Sequence, residues 1–126
     1  MLVLDSGAVT RLAERSGRAA ALIAAFRAEG LWPPVVPSAV LIESLTGEGS
    51  PDAAQQRFLR ACHVEQTMPL PLARRAAWLR TRARRGSAVD ALVTATAEPG
   101  GTVLTGDPVD LQALAGYASD VSVELI

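Results

Sequence analysis

The sequence contains no lysine, so its 12 basic residues are all arginine. The formal net charge is −1, and bulk electrostatics therefore do not indicate a nucleic-acid-binding protein. Arginine favours planar, bidentate contacts with phosphate or carboxylate groups, so the placement of the arginines matters more than their number. Aromatic residues make up only 4% of the chain, which leaves alanine, valine and leucine to fill the core.

Cysteine and histidine each occur once, as the adjacent Cys62 and His63. One cysteine cannot form an intramolecular disulfide, and this pair alone falls far short of a zinc site. We interpret Cys62 as a packing residue and His63 as a surface residue. A single histidine also argues against a serine or cysteine hydrolase, because several serines would compete for the same base.

Two kinds of long hydrophobic segment are missing. The N-terminus lacks the basic segment and long apolar run of a signal peptide, and no apolar stretch reaches membrane-spanning length. We therefore expect a soluble, cytoplasmic protein. The length of 126 residues suits a single domain spanning residues 1–126, and a hydrophobic content of 49% is enough for a sizeable core.

Short apolar runs alternate with helical patterns through most of the chain. Strands are expected at residues 2–5, 35–36, 64–70, 102–105 and 121–125. Helices are expected at residues 8–15, 18–29, 38–45, 50–62, 71–85, 87–98 and 108–115, with Ser38 and Ser50-Pro51 as predicted helix starts. The alternation predicts the α/β class, as a three-layer α/β/α sandwich around a mostly parallel sheet of about five strands.

Four acidic residues, Asp5, Glu43, Asp90 and Asp107, each lie close to where an apolar run meets a new helix. Strand-to-helix junctions of a parallel sheet meet at one edge, where ligands bind. Four carboxylates at that edge would repel one another, and a divalent cation would relieve the repulsion. Ligands that are all oxygen favour Mg²⁺ or Mn²⁺.

Each acid also has a structural explanation. Asp90 resembles the last residue of a capping box that begins at Ser87. Asp107 and Asp5 could cap helices, and Glu43 could be a solvated helix residue. The set outweighs these explanations, because a charge directly after a buried strand is costly unless it is paired or liganded. A carboxylate that caps a helix can also bind a metal.

Such a site supports phosphodiester hydrolysis, since a bound metal polarises phosphoryl oxygens and lowers the pKa of a coordinated water. No covalent nucleophile is needed for this reaction. The sequence also offers no convincing one.

The chain resembles PIN-domain ribonucleases, and among them the VapC-like toxins of type II toxin–antitoxin pairs. The resemblance rests on four segments in order, which are Leu2-Val3-Leu4-Asp5-Ser6, Val36–Glu43, Val89–Ala97 and Val103–Leu111. It implies a PIN-like fold and a Mg²⁺- or Mn²⁺-dependent endoribonuclease. It also implies a homodimer and a small VapB-like antitoxin that obstructs the site.

The resemblance carries the family's metal-binding acids onto four positions of this chain, which are Asp5, Glu43, Asp90 and Asp107. Thr105 matches a hydroxyl residue that supports the site, whereas we interpret Asp110 as a surface helix residue. The chain departs from the pattern at Gly7, where relatives carry a polar side chain that Ser6 would replace. It departs again at Gly106, where relatives often carry a larger polar or basic residue.

The expected helix at residues 71–85 holds half of all the arginines. Helical spacing places Leu72, Ala76, Leu79 and Ala83 on a core-facing side. Arg74, Arg82 and Arg85 fall on or beside the opposite side, with Trp78. This side is either a strip that contacts RNA phosphates, with Trp78 as a stacking surface, or a solvated face. Trp32 is expected in the core rather than at an interface.

Three other functions compete with the nuclease interpretation. A catalytically weak PIN-like module that binds RNA or protein is the alternative, although the presence of all four acids argues against it. A phosphoryl-transfer receiver would need a distant lysine, which the chain lacks. A phosphatase with an aspartyl nucleophile would need a second aspartate where Gly7 stands.

Overall fold

A computed structural model of the protein describes residues Met1 to Ile126 as alternating strands and helices. The strands are β1 (Leu2–Leu4), β2 (Val35–Pro37), β3 (His63–Glu65), β4 (Thr102–Thr105) and β5 (Ser122–Leu125). The helices are α1 (Ser6–Ala13), α2 (Gly17–Ala28), α3 (Val40–Ser44), α4 (Ala53–Leu59), α5 (Leu70–Ala83), α6 (Ala88–Ala97) and α7 (Pro108–Ala115).

The five strands form one sheet in the order β3-β2-β1-β4-β5, and every neighbouring pair is parallel. The prediction of a mostly parallel, five-stranded sheet is therefore confirmed. From β1 the chain first builds the sheet towards β3, and it later adds β4 and β5 on the other side. The boundary between β1 and β4 is the switch point where ligands bind in open α/β sheets.

Helices cover the sheet in two groups, as a three-layer sandwich requires. α1 contacts α2, α3 and α4, whereas α5, α6 and α7 contact one another. Both α1 and α6 pack against the central strands β1 and β4. All three residues of β1 are buried, because the central strand is covered on both faces. The predicted inner side of α5 is confirmed, since Ala76 and Leu79 are buried and Leu72 and Ala83 pack against the core.

Four helices begin at a side-chain cap, and the chemistry of each cap was visible in the sequence. Asp5 caps α1, Ser16 caps α2, Ser87 caps α6 and Asp107 caps α7. Each side chain accepts a hydrogen bond from a backbone N–H in the first turn, where four such donors lack an intrahelical partner. The caps fix where these helices start relative to the sheet edge.

Two predicted helix starts are wrong. Ser38 does not cap α3 with its side chain; its backbone N–H donates to the Glu65 carbonyl oxygen at 3.0 Å. Ser50-Pro51 lies in a turn, and α4 begins only after Asp52. The buried carboxylate of Asp52 instead accepts hydrogen bonds from the backbone N–H and the hydroxyl of Thr46 and from the backbone N–H of Gly47. These bonds lower the pKa of Asp52.

The predicted third strand is too long. β3 ends at Glu65 rather than Leu70, because its partner β2 has only three residues with which to pair. The interpretation of the neighbouring pair is confirmed, since Cys62 is half-buried and His63 is exposed. Burial raises the pKa of the Cys62 thiol to about 12, so the thiol is inert at neutral pH. None of the helices has both the length and the apolar character needed to cross a membrane.

Candidate metal centre

The four predicted metal ligands line one pocket of about 360 Å³. The pocket lies at the carboxyl edge of the sheet, where β1 and β4 end. All ten residues that line it are polar, charged or glycine, namely Asp5, Ser6, Gly7, Arg11, Glu43, Ser87, Asp90, Gly106, Asp107 and Asp110. The pocket therefore gathers five carboxylates from segments that are far apart in the sequence.

Asp5 is the best-fixed carboxylate of this pocket. Its Oδ1 accepts a hydrogen bond from the Ala8 backbone N–H at 2.8 Å, and its Oδ2 accepts one from the Thr105 hydroxyl. Thr105 is fully buried at the end of β4 and also receives the Asp107 backbone N–H at 3.0 Å. One hydroxyl thus ties the ends of the two central strands together.

The pKa of Asp5 is raised above its ordinary value. Burial is the largest cause, because it disfavours the charged form. The bonds from Thr105 and Ala8 oppose it, and the negative charge of Asp90 adds to it. The negative charge of Asp90 therefore disfavours the charged form of Asp5, and a cation beside Asp5 would remove that cost.

Asp90 and Asp107 reach the pocket through helix starts. Asp90 completes the capping box, with its Oδ2 accepting the Ser87 backbone N–H at 2.9 Å and its own N–H donating to the Ser87 hydroxyl at 3.0 Å. Asp107 Oδ1 accepts the Val109 backbone N–H at a weak 3.4 Å. The structural explanations for both residues are therefore real, and each side chain keeps a second oxygen without a hydrogen-bond partner.

Glu43 lies on α3 and is exposed, and its carboxylate makes no hydrogen bond or ion pair. Ser6, the first residue of α1, lines the same pocket as Glu43. Asp110 does so as well, and it also forms an exposed ion pair with Arg85 at 3.0 Å. Of these acids, Glu43 has the most freedom to change its side-chain conformation.

The donor set suits a hard divalent cation, since it consists of oxygens only. The side chains nevertheless do not form a finished centre, because no three acidic, histidine or cysteine side chains lie close enough together to hold an ion. Asp90 is close enough to Asp5 for its negative charge to raise the pKa of Asp5. Closing a site around an ion would require the acidic side chains to move closer together.

Arg11 is a pocket residue that the sequence reasoning missed. It stands on α1 and is the only basic residue among those lining the pocket. The signal was available, because Arg11 follows Gly7 by four residues, and residues four apart share one face of a helix. Helical spacing from the Asp5 cap would have placed both on the pocket side.

The predicted arginine strip lies on the outer side of α5 and does not line the pocket. Arg74 and Arg85 are exposed, and Trp78 is 44% exposed. Two guanidinium groups lie over the Trp78 ring, with Arg75 at 4.6 Å and Arg82 at 5.3 Å from the ring centre. Only Arg85 approaches the pocket, through its pair with Asp110.

Trp32 packs against the core, as predicted, rather than standing free at the surface. It meets the Phe58 ring edge-on with ring centres 6.2 Å apart and carries Arg27 above its face. It is a structural residue on the side of the molecule formed by α2 and α4.

Comparison with known proteins supports the fold. No model of a known protein family matches the sequence, and no curated protein is significantly similar to it. The structure is similar to the crystal structure of FitAcB from Neisseria gonorrhoeae, with a TM-score of 0.65 and 20% sequence identity. The match covers 98% of this chain and 96% of that chain. The chain has a PIN-like fold. At 20% sequence identity, this structural similarity shows the fold alone.

Proposed function

We propose that this protein is a Mg²⁺- or Mn²⁺-dependent endoribonuclease and the toxin of a type II toxin–antitoxin pair. The observation that carries the proposal is the pocket at the β1–β4 switch point. It gathers Asp5, Glu43, Asp90 and Asp107 from four separate segments. A PIN-like fold with this arrangement is what the resemblance of the sequence to VapC-like toxins requires.

In this proposal the four acidic residues have different roles. Thr105 and the N-terminus of α1 hold Asp5 in place, and Ser87 holds Asp90, so two ligands are preorganised before substrate arrives. Glu43 and Asp107 are exposed and would complete the site. A bound Mg²⁺ would polarise the phosphoryl oxygens and lower the pKa of a coordinated water.

Covalent catalysis is not supported by the geometry. Ser6 and Ser87 line the pocket, but the single histidine lies elsewhere and faces Glu65 at 3.3 Å. Neither serine therefore has an imidazole base within reach. Attack by an activated water fits the available residues better.

The test is cleavage of single-stranded RNA with and without Mn²⁺. We expect Mn²⁺-dependent cleavage that falls by at least about a hundredfold in Asp5→Asn and Asp90→Asn. Asp120→Asn is the matched control, since Asp120 is exposed, lies outside the pocket and should leave cleavage unchanged. Undiminished cleavage in EDTA would show that the metal mechanism is wrong.

A catalytically weak PIN-like module that binds RNA or protein is the alternative. It is favoured by one observation, which is that no three candidate ligands converge. This function predicts RNA or partner binding that survives Asp5→Asn, with no cleavage by the wild-type protein at any Mn²⁺ concentration.

We also propose a cytoplasmic homodimer with a VapB-like antitoxin as partner. Three large apolar side chains near the start of α3 and the start of α5 support an interface, since Ile42, Met68 and Leu70 are 80%, 56% and 60% exposed. Light scattering on wild type and Ile42→Asp tests the dimer. A monomeric wild-type protein at micromolar concentration would contradict this part of the proposal.

A further inference from the structure

The Arg11 guanidinium is anchored to the main chain and forms an ion pair with no side-chain carboxylate. Its Nη1 donates a hydrogen bond to the main-chain oxygen of Ile126, the last residue of the sequence, at 2.7 Å. A Cβ placed on Gly106 would lie 3.5 Å from its Cζ and 3.6 Å from its Nε. The guanidinium therefore rests against the bare backbone of Gly106, between Thr105 and Asp107.

No carboxylate of the pocket pairs with Arg11. The ion pairs of the molecule are His63–Glu65, Arg75–Glu98 and Arg85–Asp110, and the only hydrogen bond of the Arg11 side chain is the one to Ile126. A guanidinium has five N–H donors, so most of those on Arg11 remain available to a ligand. The guanidinium is therefore held in position while most of its N–H donors stay free to bind a ligand.

The pocket needs such a group if it is to accept a polyanion. Five carboxylates line it, and an approaching phosphodiester would be repelled by those that remain charged. Arginine recognises phosphate through paired N–H donors in a fixed plane, and such charge-assisted bonds are stronger than neutral ones. Arg11 is the one pocket residue with that chemistry.

We propose that Arg11 binds a phosphate group of the RNA chain within the acidic pocket and so places the strand against Asp5 and Asp107. This inference rests on the proposed nuclease function. It assigns substrate positioning to α1, whereas the predicted arginine strip on α5 would contact RNA only outside the pocket.

The experiment measures binding of a fluorescently labelled single-stranded RNA in Ca²⁺ across a series of salt concentrations. Arg11→Gln should weaken binding by about tenfold or more, as expected for loss of a charged hydrogen bond. It should also lower the slope of log affinity against log salt by about one. Arg11→Lys keeps the charge but loses the fork, so the salt slope should stay while affinity falls by less.

The matched control is Arg18→Gln. Arg18 is exposed and lines the neighbouring cleft, which it shares with Arg11, but it does not line the acidic pocket. It should bind RNA like the wild type. Thermal unfolding of each variant shows whether the protein is folded, and Arg11→Lys remains informative if Arg11→Gln loses stability together with the Ile126 contact.

Unchanged RNA affinity in Arg11→Gln would overturn the inference, even if the wild type cleaves RNA in Mn²⁺. Tighter Mn²⁺ binding with unchanged RNA affinity would overturn it too, since Arg11 would then only offset the acidic charges. Absence of RNA binding by the wild type would also overturn the inference about Arg11. Conversely, RNA binding that depends on Arg11, without any RNA cleavage in Mn²⁺, would support the proposed role of Arg11 and contradict the nuclease function.

Discussion

At the scale of single residues, the acidic pocket is built from side chains that serve a helix and a site at once. Asp5, Asp90 and Asp107 each cap or complete the start of a helix. Helices that pack on a parallel sheet run opposite to the strands, so their N-termini gather at the carboxyl edge. Capping therefore brings the carboxylates together without any additional structural device.

The Asp5→Asn variant tests whether the charge of Asp5 destabilises the folded protein when no metal is bound. Burial and Asp90 raise the pKa of Asp5, so the folded protein holds this proton more tightly than the unfolded chain. Wild-type stability should therefore fall, relative to Asp5→Asn, as pH rises through and above the ordinary pKa of aspartate. Asparagine caps a helix as well as aspartate does, so the α1 cap is retained.

The measurement is denaturant unfolding in EDTA between about pH 4 and pH 8. The variant should match the wild type at the acidic end and be at least as stable at neutral pH. A variant that is less stable at neutral pH would mean that the bonds from Thr105 and Ala8 outweigh burial.

Ser87→Ala and Asp90→Asn separate the cap from the proposed ligand. Loss of the Ser87 hydroxyl removes the capping bond to α6 and should cost about 1 kcal/mol of stability, with activity largely kept. Asp90→Asn keeps an acceptor for the Ser87 N–H, so it should unfold like the wild type while RNA cleavage is lost. Urea unfolding and a cleavage assay on both variants decide. Marked unfolding of Asp90→Asn without metal would make Asp90 a structural residue.

At the scale of elements, the turn between α5 and α6 decides whether Asp90 reaches the pocket. Arg84, the residue after the end of α5, lies in the left-handed region with φ 54°, and Gly86 has φ 87°. A Cβ on Gly86 would lie 2.8 Å from Leu114 Cδ1. Only glycine meets both conditions without strain.

Gly86→Ala should therefore destabilise the protein by more than about 1 kcal/mol, through backbone strain and the contact with Leu114. Gly49→Ala is the matched control, because Gly49 has no neighbour within 4 Å of an added Cβ and no positive φ. Chemical denaturation of both variants gives the comparison. Equal stability of the two would show that the turn adapts.

Elements with local signals could be predicted from the sequence. The bounds of β4 and α7 agree with the prediction, since Asp107-Pro108 marks both the end of one and the start of the other. The Ser87–Asp90 capping box was also predicted. Ser38 and Ser50 carry equally good capping chemistry. The Ser38 backbone N–H instead bonds to Glu65 across the sheet, and near Ser50 the Asp52 carboxylate bonds locally to Thr46 and Gly47. Helical spacing places Arg11 on the pocket side of α1, whereas its packing against Gly106 joins residues that are distant in the sequence and could not be predicted.

At the scale of the whole molecule, long-range contacts hold the helix layer that carries Asp90. Arg75 on α5 donates two hydrogen bonds to Glu98 at the end of α6, at 2.9 and 2.7 Å. The Ser119 backbone N–H adds a third bond to Glu98 at 2.8 Å, which ties in the segment before β5. The strand order of the sheet depends on contacts of this kind and could not be predicted from the sequence.

Glu98→Gln should cost about 1–2 kcal/mol at neutral pH, because Arg75 is partly exposed and solvent screens the pair. The bond from Arg75 lowers the pKa of Glu98, so its contribution is present above the ordinary pKa of glutamate and is lost as pH falls through the lowered value. The stability difference should therefore vanish in acid.

Thermal unfolding across pH tests this, with Asp110→Asn as the control for an exposed ion pair. A pair with side chains 58% and 44% exposed should contribute no more than about 1 kcal/mol. A cost for Glu98→Gln that does not depend on pH would assign the effect to packing rather than charge.

The central claim is that the pocket at the β1–β4 switch point binds a divalent cation through its carboxylates. Calorimetric titration with Mn²⁺ measures this without relying on any substrate. Wild type should show saturable binding that weakens at least about tenfold in Asp5→Asn and in Asp90→Asn, as expected when a charged ligand is lost. Asp120→Asn should bind Mn²⁺ as the wild type does. Equal affinity in all four proteins, or no saturable binding in the wild type, would contradict the account.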